Sequence, residues 1–323
     1  MKNNNQKILI LSRDKKEFLS ASGNDREFYW FYLGRNYEKL LDLRQKVPKS
    51  FHFVDIGEQL NSTAYELRRP YLDYIGELSV RFNSLAWWIS RVAEKNVMVS
   101  PLFLFVCYLH IIRHLMKGEL KEKNICIISE SPALLETISR LSEFKNYSAR
   151  KRCNLKADFL KAYLRSLVRL LRFIGRVFRR STRPVLHKGP VTILRTWVSD
   201  KNLGSNGEFH DSYFPCLFDY FKRNNVNVYI LPIIFNIKKS YADTLRWFRR
   251  AKVPFIIPED YYHLSDYLGA VRLSYKSHKY FRNSFVFNGF DLSLLFKRES
   301  LENLFASGVL NLVMHYYLFK HLK

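Results

Sequence analysis

A histidine and an aspartate stand side by side in the segment DKNLGSNGEFHDSYF, which follows the apolar run VTILRTWVS (191–199). His210 and Asp211 come after a loop rich in Gly, Asn and Ser and before a helix that we expect to begin near Tyr213. A His next to an Asp in this setting is a candidate general base for activating an acceptor hydroxyl. The alternative is structural, with Asp211 or Ser212 capping the helix.

A second candidate site follows the apolar run NICIIS (124–129). Glu130 comes at the expected carboxyl end of this strand, and Ser131 with Pro132 fits the N-cap and first turn of the next helix. Open α/β sheets bind ligands at this edge, and a helix N-terminus there can hold a phosphate or a sugar hydroxyl. An ordinary strand-to-helix turn is the alternative.

Two tryptophans and a polar triplet occur together in SLAWWISRVAEKN (84–96). Trp87 and Trp88 are candidates for a sugar or lipid platform, because an indole offers a large contact area and one hydrogen-bond donor. The polar triplet Glu94, Lys95 and Asn96 would then bind substrate at the mouth of the same cleft. Two core tryptophans and a solvated turn are the alternative.

The segment 150–188 is strongly basic, with 13 Lys and Arg residues against the single acid Asp158. Seven of its cations are spaced three or four residues apart, which predicts one stripe along a helix. They are Lys161, Arg165, Arg169, Arg172, Arg176, Arg179 and Arg183. Because the remaining surface is broadly apolar, the pattern favours a helix at a membrane interface with its cations on anionic headgroups. A helix packed on the core and an RNA-binding arm are the alternatives.

No metal or cofactor site is expected. His110 and His114 have the i, i+4 spacing of metal ligands, but Arg113 between them disfavours a cation. The sequence contains no GxGxxG, GxxxxGK[ST] or GxSxG motif, so a dinucleotide site, a P-loop and a hydrolase elbow are unsupported.

Short β-rich runs that are separated by helical stretches would position these candidate residues. This alternation predicts an α/β fold with Rossmann-like parallel sheets and crossover helices. The runs cover residues 7–12, 51–57, 124–129, 191–199, 226–234 and 253–258. The expected organisation is an α/β portion (1–149), the basic amphipathic helical insert (150–188), a second α/β portion (189–290) and a helical C-terminal segment (291–323).

Composition limits the class of protein. The chain has 323 residues, of which 47% are hydrophobic, and 53 Lys and Arg residues stand against 29 Asp and Glu residues. The excess of positive charge favours anionic partners. Four cysteines without ligand spacing indicate a reducing compartment, and no apolar run reaches the ~18 residues of a spanning helix. We expect a cytoplasmic protein.

Two blocks of the sequence resemble a known family. They are WWISRVAEKNVMVSPLFLFVCYLHII (87–112) and GEFHDSYFPCLFDYFKRNNVNVYILPI (207–233). Together with the basic insert they resemble bacterial surface carbohydrate biosynthesis proteins from O-antigen and capsule loci, in order, over roughly residues 5–260.

The resemblance implies a glycosyltransferase of the GT-B type, in which two Rossmann-like domains face a cleft and a nucleotide-sugar is the donor. It carries over to this chain the residues Trp87, Trp88, Glu94, Lys95, Asn96, Asp211 and Tyr213. Nothing near the end of the chain resembles a donor-binding half, which implies a truncated member or one that needs a second protein.

The expected function is therefore the acceptor-side part of a glycosyltransferase in surface polysaccharide assembly. The protein would be peripheral on the inner face of the cytoplasmic membrane, with anionic lipids and a lipid-linked sugar acceptor as partners and no nucleic acid. The alternative is a non-catalytic, membrane-bound assembly or scaffold protein that lacks a donor-binding domain.

Overall fold

The computed structural model describes residues 7–13, 26–48, 50–96, 99–151, 154–179, 189–204 and 206–322. The chain forms two compact units. The first comprises the described residues within 1–169 and 272–309, and the second comprises those within 170–271 and 310–323.

Five strands form the sheet of the first unit. They are β1 (Ile8–Ser12), β2 (Phe28–Tyr32), β3 (Phe51–Phe53), β4 (Asn124–Ile128) and β5 (Ser148–Lys151). Their order is β3-β2-β4-β1-β5, and every neighbouring pair is parallel. The predicted α/β class with a parallel sheet is confirmed, and the sheet is consistent with a Rossmann-like fold.

Burial on both faces explains why some of these strands were visible in the sequence. In β1, Leu9 and Leu11 enter one core of the first unit, whereas Ile8 and Ile10 enter the core on the other side. A parallel strand that is covered on both faces reads as a continuous apolar run rather than as an alternating one.

Twelve α-helices lie in the described residues. They are α1 (Tyr37–Lys46), α2 (Gly57–Phe82), α3 (Leu85–Trp88), α4 (Leu102–Lys117), α5 (Pro132–Ser139), α6 (Leu155–Ile174), α7 (Leu217–Arg223), α8 (Tyr241–Arg250), α9 (Pro258–Tyr261), α10 (Leu264–Tyr280), α11 (Ser293–Asn303) and α12 (Ser307–Leu322). Helices α2, α4 and α5 cover one face of the five-stranded sheet, and α1 contributes Leu43 to the other. None of the described helices combines the length and apolar character needed to cross a bilayer.

The segment 272–309 completes the larger core of the first unit. Phe281, Phe285 and Phe296 are almost fully buried there, and the Phe285 and Phe296 rings stack with 4.5 Å between their centroids. A short antiparallel pair, β8 (Val286–Phe287) and β9 (Phe290–Asp291), turns through an Asn-Gly dipeptide with positive φ at both residues. Asn-Gly favours this tight hairpin turn because both residues tolerate positive φ.

The second unit has a smaller parallel sheet made of β6 (Thr192–Val198) and β7 (Val228–Ile234). The run predicted as a strand over 253–258 makes an isolated parallel bridge to β7 between Phe255 and Ile230. Helix α8 packs on this sheet through Leu245 and Phe248.

Candidate functional site

A cleft of about 300 Å³ opens at the carboxyl ends of β2 and β4 in the first unit. It is lined by residues 33–36 after β2, by residues 129–131 after β4 and by the start of α4. The chain leaves β2 toward β3 and leaves β4 toward β5, so these adjacent strands connect toward opposite edges of the sheet. Doubly wound sheets bind ligands in the crevice at such a switch point. This cleft is therefore the candidate site.

Two helices begin at the cleft. The Asn36 side chain caps α1 by accepting a hydrogen bond from the Lys39 backbone N–H at 3.0 Å, and Ser131 caps α5 by accepting one from Leu134 at 3.2 Å. The cap predicted at Ser131 is confirmed. Helix N-termini carry partial positive charge, so both ends favour a ligand with phosphate or hydroxyl oxygens.

Glu130 is the carboxylate of the cleft. The Tyr32 hydroxyl donates to Glu130 Oε1 at 2.6 Å, and Lys39 Nζ lies 3.0 Å from the same oxygen. Lys39 also donates to the carbonyl oxygen of Arg13 at the end of β1. Burial opposes the charge on Glu130, but the hydrogen bonds from Tyr32 and Lys39 outweigh it and lower the pKa of the carboxyl. Glu130 is therefore ionised at neutral pH.

Two tyrosines that hydrogen-bond to residues of the cleft stay neutral. Burial and the hydrogen bond to Glu130 raise the pKa of Tyr32 well above its ordinary value, and its hydroxyl oxygen also accepts from the Asn36 N–H. Burial raises the pKa of Tyr108 to about 12, and its hydroxyl donates to the Gly34 carbonyl at 3.2 Å. Neither phenol can serve as a base near neutral pH, whereas Glu130 lines the cleft as an ionised hydrogen-bond acceptor.

The Glu130 carboxylate packs closely against Gly34. A methyl group at Gly34 would lie 2.2 Å from Glu130 Oε2 and 2.4 Å from Cζ of Tyr32. Gly34→Ala should therefore displace both side chains and lower the free energy of unfolding by about 1–3 kcal/mol. Gly308→Ala is the control, because no described atom lies within 4 Å of its added methyl group. Denaturant unfolding measures both variants, and a Gly34→Ala protein as stable as the wild type would contradict this packing.

Trp87 belongs to the core of the first unit. Its side chain is fully buried, its indole N–H donates to Ser79 Oγ at 3.0 Å, and its ring stacks on Phe281. A ligand platform needs an exposed ring face, so the assignment of Trp87 to substrate binding is wrong. Packing of the short helix α3 turns one tryptophan inward and leaves the next, Trp88, 51% exposed.

The polar triplet that follows α3 lies on the surface. Glu94, Lys95 and Asn96 are exposed, and Lys95 has a φ of 58°. The backbone oxygen of Asn96 accepts from Ser100, which leads the chain into α4. The described residues that line the cleft include neither this triplet nor Trp88. The structure therefore brings Ser131, but not these residues, to Glu130.

His210 and Asp211, in the second unit, do not form an acid–base pair. Asp211 is buried, and its Oδ1 accepts the backbone N–H groups of Tyr213 at 2.8 Å and Phe214 at 3.0 Å. The His210 imidazole is largely exposed and lies 3.9 Å from Glu208, not against Asp211. Asp211 thus stabilises a turn, and α7 begins after that turn rather than near Tyr213. The structural alternative is therefore supported for Asp211, whereas His210 as a base stays a prediction.

Helix α6 turns large apolar side chains toward solvent. Five of them lie in the first unit and are 42–59% exposed: Leu160, Tyr163, Leu164, Leu167 and Val168, together called the α6 apolar face. In the first unit, the buried positions on the same helix are the small or polar residues Asp158, Ala162 and Ser166, whereas Phe173 is buried in its last turn. An amphipathic helix ordinarily buries its leucines. A contiguous exposed apolar face indicates contact with a membrane or another molecule.

An ion network holds the polar side of α6 against α11. Arg298 Nε donates to Asp158 Oδ2 at 2.6 Å, and Arg298 Nη1 donates to Glu302 Oε2 at 2.8 Å. Arg169 reaches the same residue from α6, donating to the backbone oxygen of Glu302 at 2.5 Å. These bonds explain why the polar side faces the protein, because the buried charges need their partners.

Three of the cations predicted to bind lipid are engaged by the protein. Arg165 and Arg169 each lie 3.3 Å from a carboxylate oxygen of Glu302, and Arg176 donates to Asn311 Oδ1 at 2.8 Å. The cationic stripe is therefore not a uniformly free surface. Its arginines help to fix the helix, and the exposed part of α6 is more apolar than the spacing of the charges suggested.

Two other cations of the stripe are exposed, Lys161 in the first unit and Arg172 in the second. Positions three or four residues apart lie on the same side of a helix, so Lys161 flanks Leu164 at the border of the α6 apolar face. The Arg179 side chain and Arg183 lie outside the described residues.

Several residues that line the cleft, or that contact Glu130 and Gly34 there, were missed in the sequence. Tyr32, Gly34, Asn36 and Lys39 all belong to the strand–loop–helix segment that starts with β2, and Tyr108 lies on α4. A usable signal was present in FYWFYLGRN, where five aromatic residues precede a Gly and an Asn that can cap a helix. Aromatic residues favour strands, and this continuous run of them is typical of a strand that is buried on both faces.

Comparison with protein-family models, curated proteins and solved structures finds no match to this chain.

Proposed function

We propose that this chain takes part in assembling bacterial surface polysaccharide, as the acceptor-side part of a membrane-associated, GT-B-like glycosyltransferase that uses a nucleotide-sugar donor. The observation that carries the proposal is the cleft at the switch point of the sheet, with Glu130 held ionised between two helix N-termini. The same compact unit carries the α6 apolar face.

The cleft suits the chemistry of a sugar acceptor. A carboxylate accepts hydrogen bonds from sugar hydroxyl groups, and in the transfer step it can accept the proton of the attacking hydroxyl. Glu130 replaces His210 and Asp211 in this role, because the geometry of the latter pair does not support it. The two helix N-termini favour the negative charge of a nearby phosphate.

The α6 apolar face suits docking on the inner leaflet, where a lipid-linked acceptor would be reached. Its leucines would enter the acyl boundary, and the exposed cation Lys161 at its border would meet anionic headgroups. Each such cation contributes about 1 kcal/mol near an anionic surface. The membrane contact is thus mainly apolar, with a smaller electrostatic contribution.

Glu130→Gln should reduce sugar transfer at least ~100-fold while the protein stays folded, because the amide keeps the shape but cannot act as a base. Transfer is measured on vesicles that contain a lipid-linked sugar acceptor, with a panel of nucleotide-sugars. The control is Glu119→Gln, an exposed carboxylate in the loop that precedes β4 and therefore near the opposite edge of the sheet.

Unchanged transfer by Glu130→Gln would remove this residue from the mechanism. Vesicle binding by the wild-type chain without transfer from any nucleotide-sugar would instead favour the non-catalytic assembly protein.

A further inference from the structure

A groove of about 610 Å³ runs along α8 in the second unit. Residues 206–207, in the loop after β6, form one wall. The other wall consists of Lys239 and four side chains of α8: Asp243, Arg246, Trp247 and Arg250. The spacing of these four residues places them on one side of the helix. Trp247 also borders the core, because its ring contacts Phe248 and Phe255 in edge geometry.

Both walls are held in place by hydrogen bonds. The indole N–H of Trp247 donates to the Gly204 carbonyl at 3.1 Å, and the Lys252 N–H donates to the Gly207 carbonyl at 2.9 Å. Gly207 has a φ of 74°, and a methyl group there would lie 3.1 Å from the Arg250 carbonyl. The loop therefore approaches the helix as closely as a glycine allows, and the plane of the Trp247 ring is set before any ligand binds.

The charges in the groove favour an anion. It contains three cations and one carboxylate, Asp243, which is paired with Arg246. Within the described part of the chain, no carboxylate pairs with Lys239 or Arg250. Arginine binds phosphate oxygens through two parallel N–H groups, so an unpaired Arg250 beside Lys239 is suited to phosphate.

We infer that this groove binds the diphosphate group of an organic diphosphate ester, with the organic part against the Trp247 indole. Arg246 and Arg250 are four residues apart, so their side chains start about 5–6 Å from each other on one side of α8 and can hold adjacent phosphates. A flat indole beside them offers an apolar surface for a base or a hydrocarbon chain. Nucleotides and polyprenyl diphosphates share this chemistry.

The inference deepens the proposed function, on which the choice of diphosphate esters as ligands rests. It also changes what was expected from the sequence, where nothing near the end of the chain resembled a donor-binding half. If the nucleotide is the better ligand, the second unit binds part of the nucleotide-sugar donor. If the polyprenyl diphosphate is the better ligand, the second unit binds the diphosphate group of the lipid-linked acceptor.

The test is calorimetric titration of the full chain with uridine diphosphate, farnesyl diphosphate and inorganic pyrophosphate. We expect one ester to bind at least tenfold more tightly than pyrophosphate. Combining Lys239→Ala with Arg250→Ala should weaken that binding at least tenfold. Lys222→Ala is the matched control, since it removes one exposed cation of the second unit outside the groove.

Pyrophosphate binding as tight as that of both esters would overturn the inference, because the Trp247 surface would then contribute nothing. Equal affinity of the double variant and the wild type for the ester would overturn the inference too. That result would also be obtained if farnesyl diphosphate bound elsewhere, on an apolar surface. No sugar transfer is measured in this experiment. Diphosphate binding that depends on Lys239 and Arg250 would therefore stand even if the proposed transferase function failed.

Discussion

Replacing Leu160, Leu164 and Leu167 together with glutamine should reduce binding to phosphatidylglycerol vesicles about 100-fold. These side chains are 42–59% exposed in the free protein, so a membrane would remove roughly half of each from water. Full burial of a leucine contributes about 1.5–3 kcal/mol, and half of that from three residues sums to about 3 kcal/mol. Vesicle flotation measures the effect.

The stability of this triple variant provides an internal check. Because the three leucines are exposed, their replacement should change the free energy of unfolding by less than about 0.5 kcal/mol per site. The control for general surface hydrophobicity is the pair Tyr65→Gln and Val80→Gln on α2, whose side chains are 87% and 80% exposed. Retention of the triple variant on vesicles at the wild-type level would exclude the α6 apolar face as the membrane contact.

Arg298→Ala should lower the free energy of unfolding by about 3–5 kcal/mol, because it leaves the buried Asp158 carboxylate without its cation. Glu302 would at the same time lose the hydrogen bond that Arg298 donates to its Oε2. Arg69→Ala is the control; its ion pair with Asp73 is an exposed i, i+4 pair and contributes about 0.3–0.5 kcal/mol. Denaturant unfolding followed by circular dichroism compares the two variants.

Two further measurements separate this ion network from general damage by the mutation. Combining Asp158→Asn with Arg298→Ala should recover part of the loss, because the unpaired charge is then absent. Burial opposes the charge on Glu302, but the hydrogen bond and charge of Arg298 outweigh it, so the pKa of Glu302 is lowered. Its contribution is therefore present above the unfolded pKa of about 4.3 and is lost as the pH falls through the lowered folded value.

The wild type should accordingly lose stability more steeply below about pH 4.3 than the Arg298→Ala protein does, since the variant has less of this contribution to lose. Parallel pH profiles of the two proteins would contradict the role of Arg298 as the partner of Glu302.

The amino-acid sequence by itself determined the class of fold and several elements of it. The apolar runs that became β1 and β4 were recognisable because burial on both faces leaves a continuous hydrophobic signature. The strands β6 and β7 are only partly buried, and their runs were recognisable from their β-branched and aromatic residues. The cap at Ser131 was recognisable as well, because an N-cap is a local interaction between a side chain and a backbone N–H three residues later. The strand β5 escaped notice because it is largely exposed and has the polar sequence SARK.

Only the tertiary structure decided which residues meet. Tyr32 and Glu130 are 98 positions apart in the chain, and they form one cluster because β2 and β4 are neighbours in the sheet. Strand order depends on long-range packing, which no local pattern records. His210 and Asp211 show the converse, because adjacency in sequence did not bring the imidazole and the carboxylate together.

The orientation of α6 was decided in the same way. Its helical spacing was visible in the sequence, since a period of 3.6 residues is a local property. Which side would face the protein depended on Arg298 and Glu302, more than 130 residues from the α6 side chains that they bind. Those charged groups stabilise the polar side of α6 inside the fold and leave its leucines exposed. The reason is that a buried charge without a partner costs more free energy than an exposed leucine.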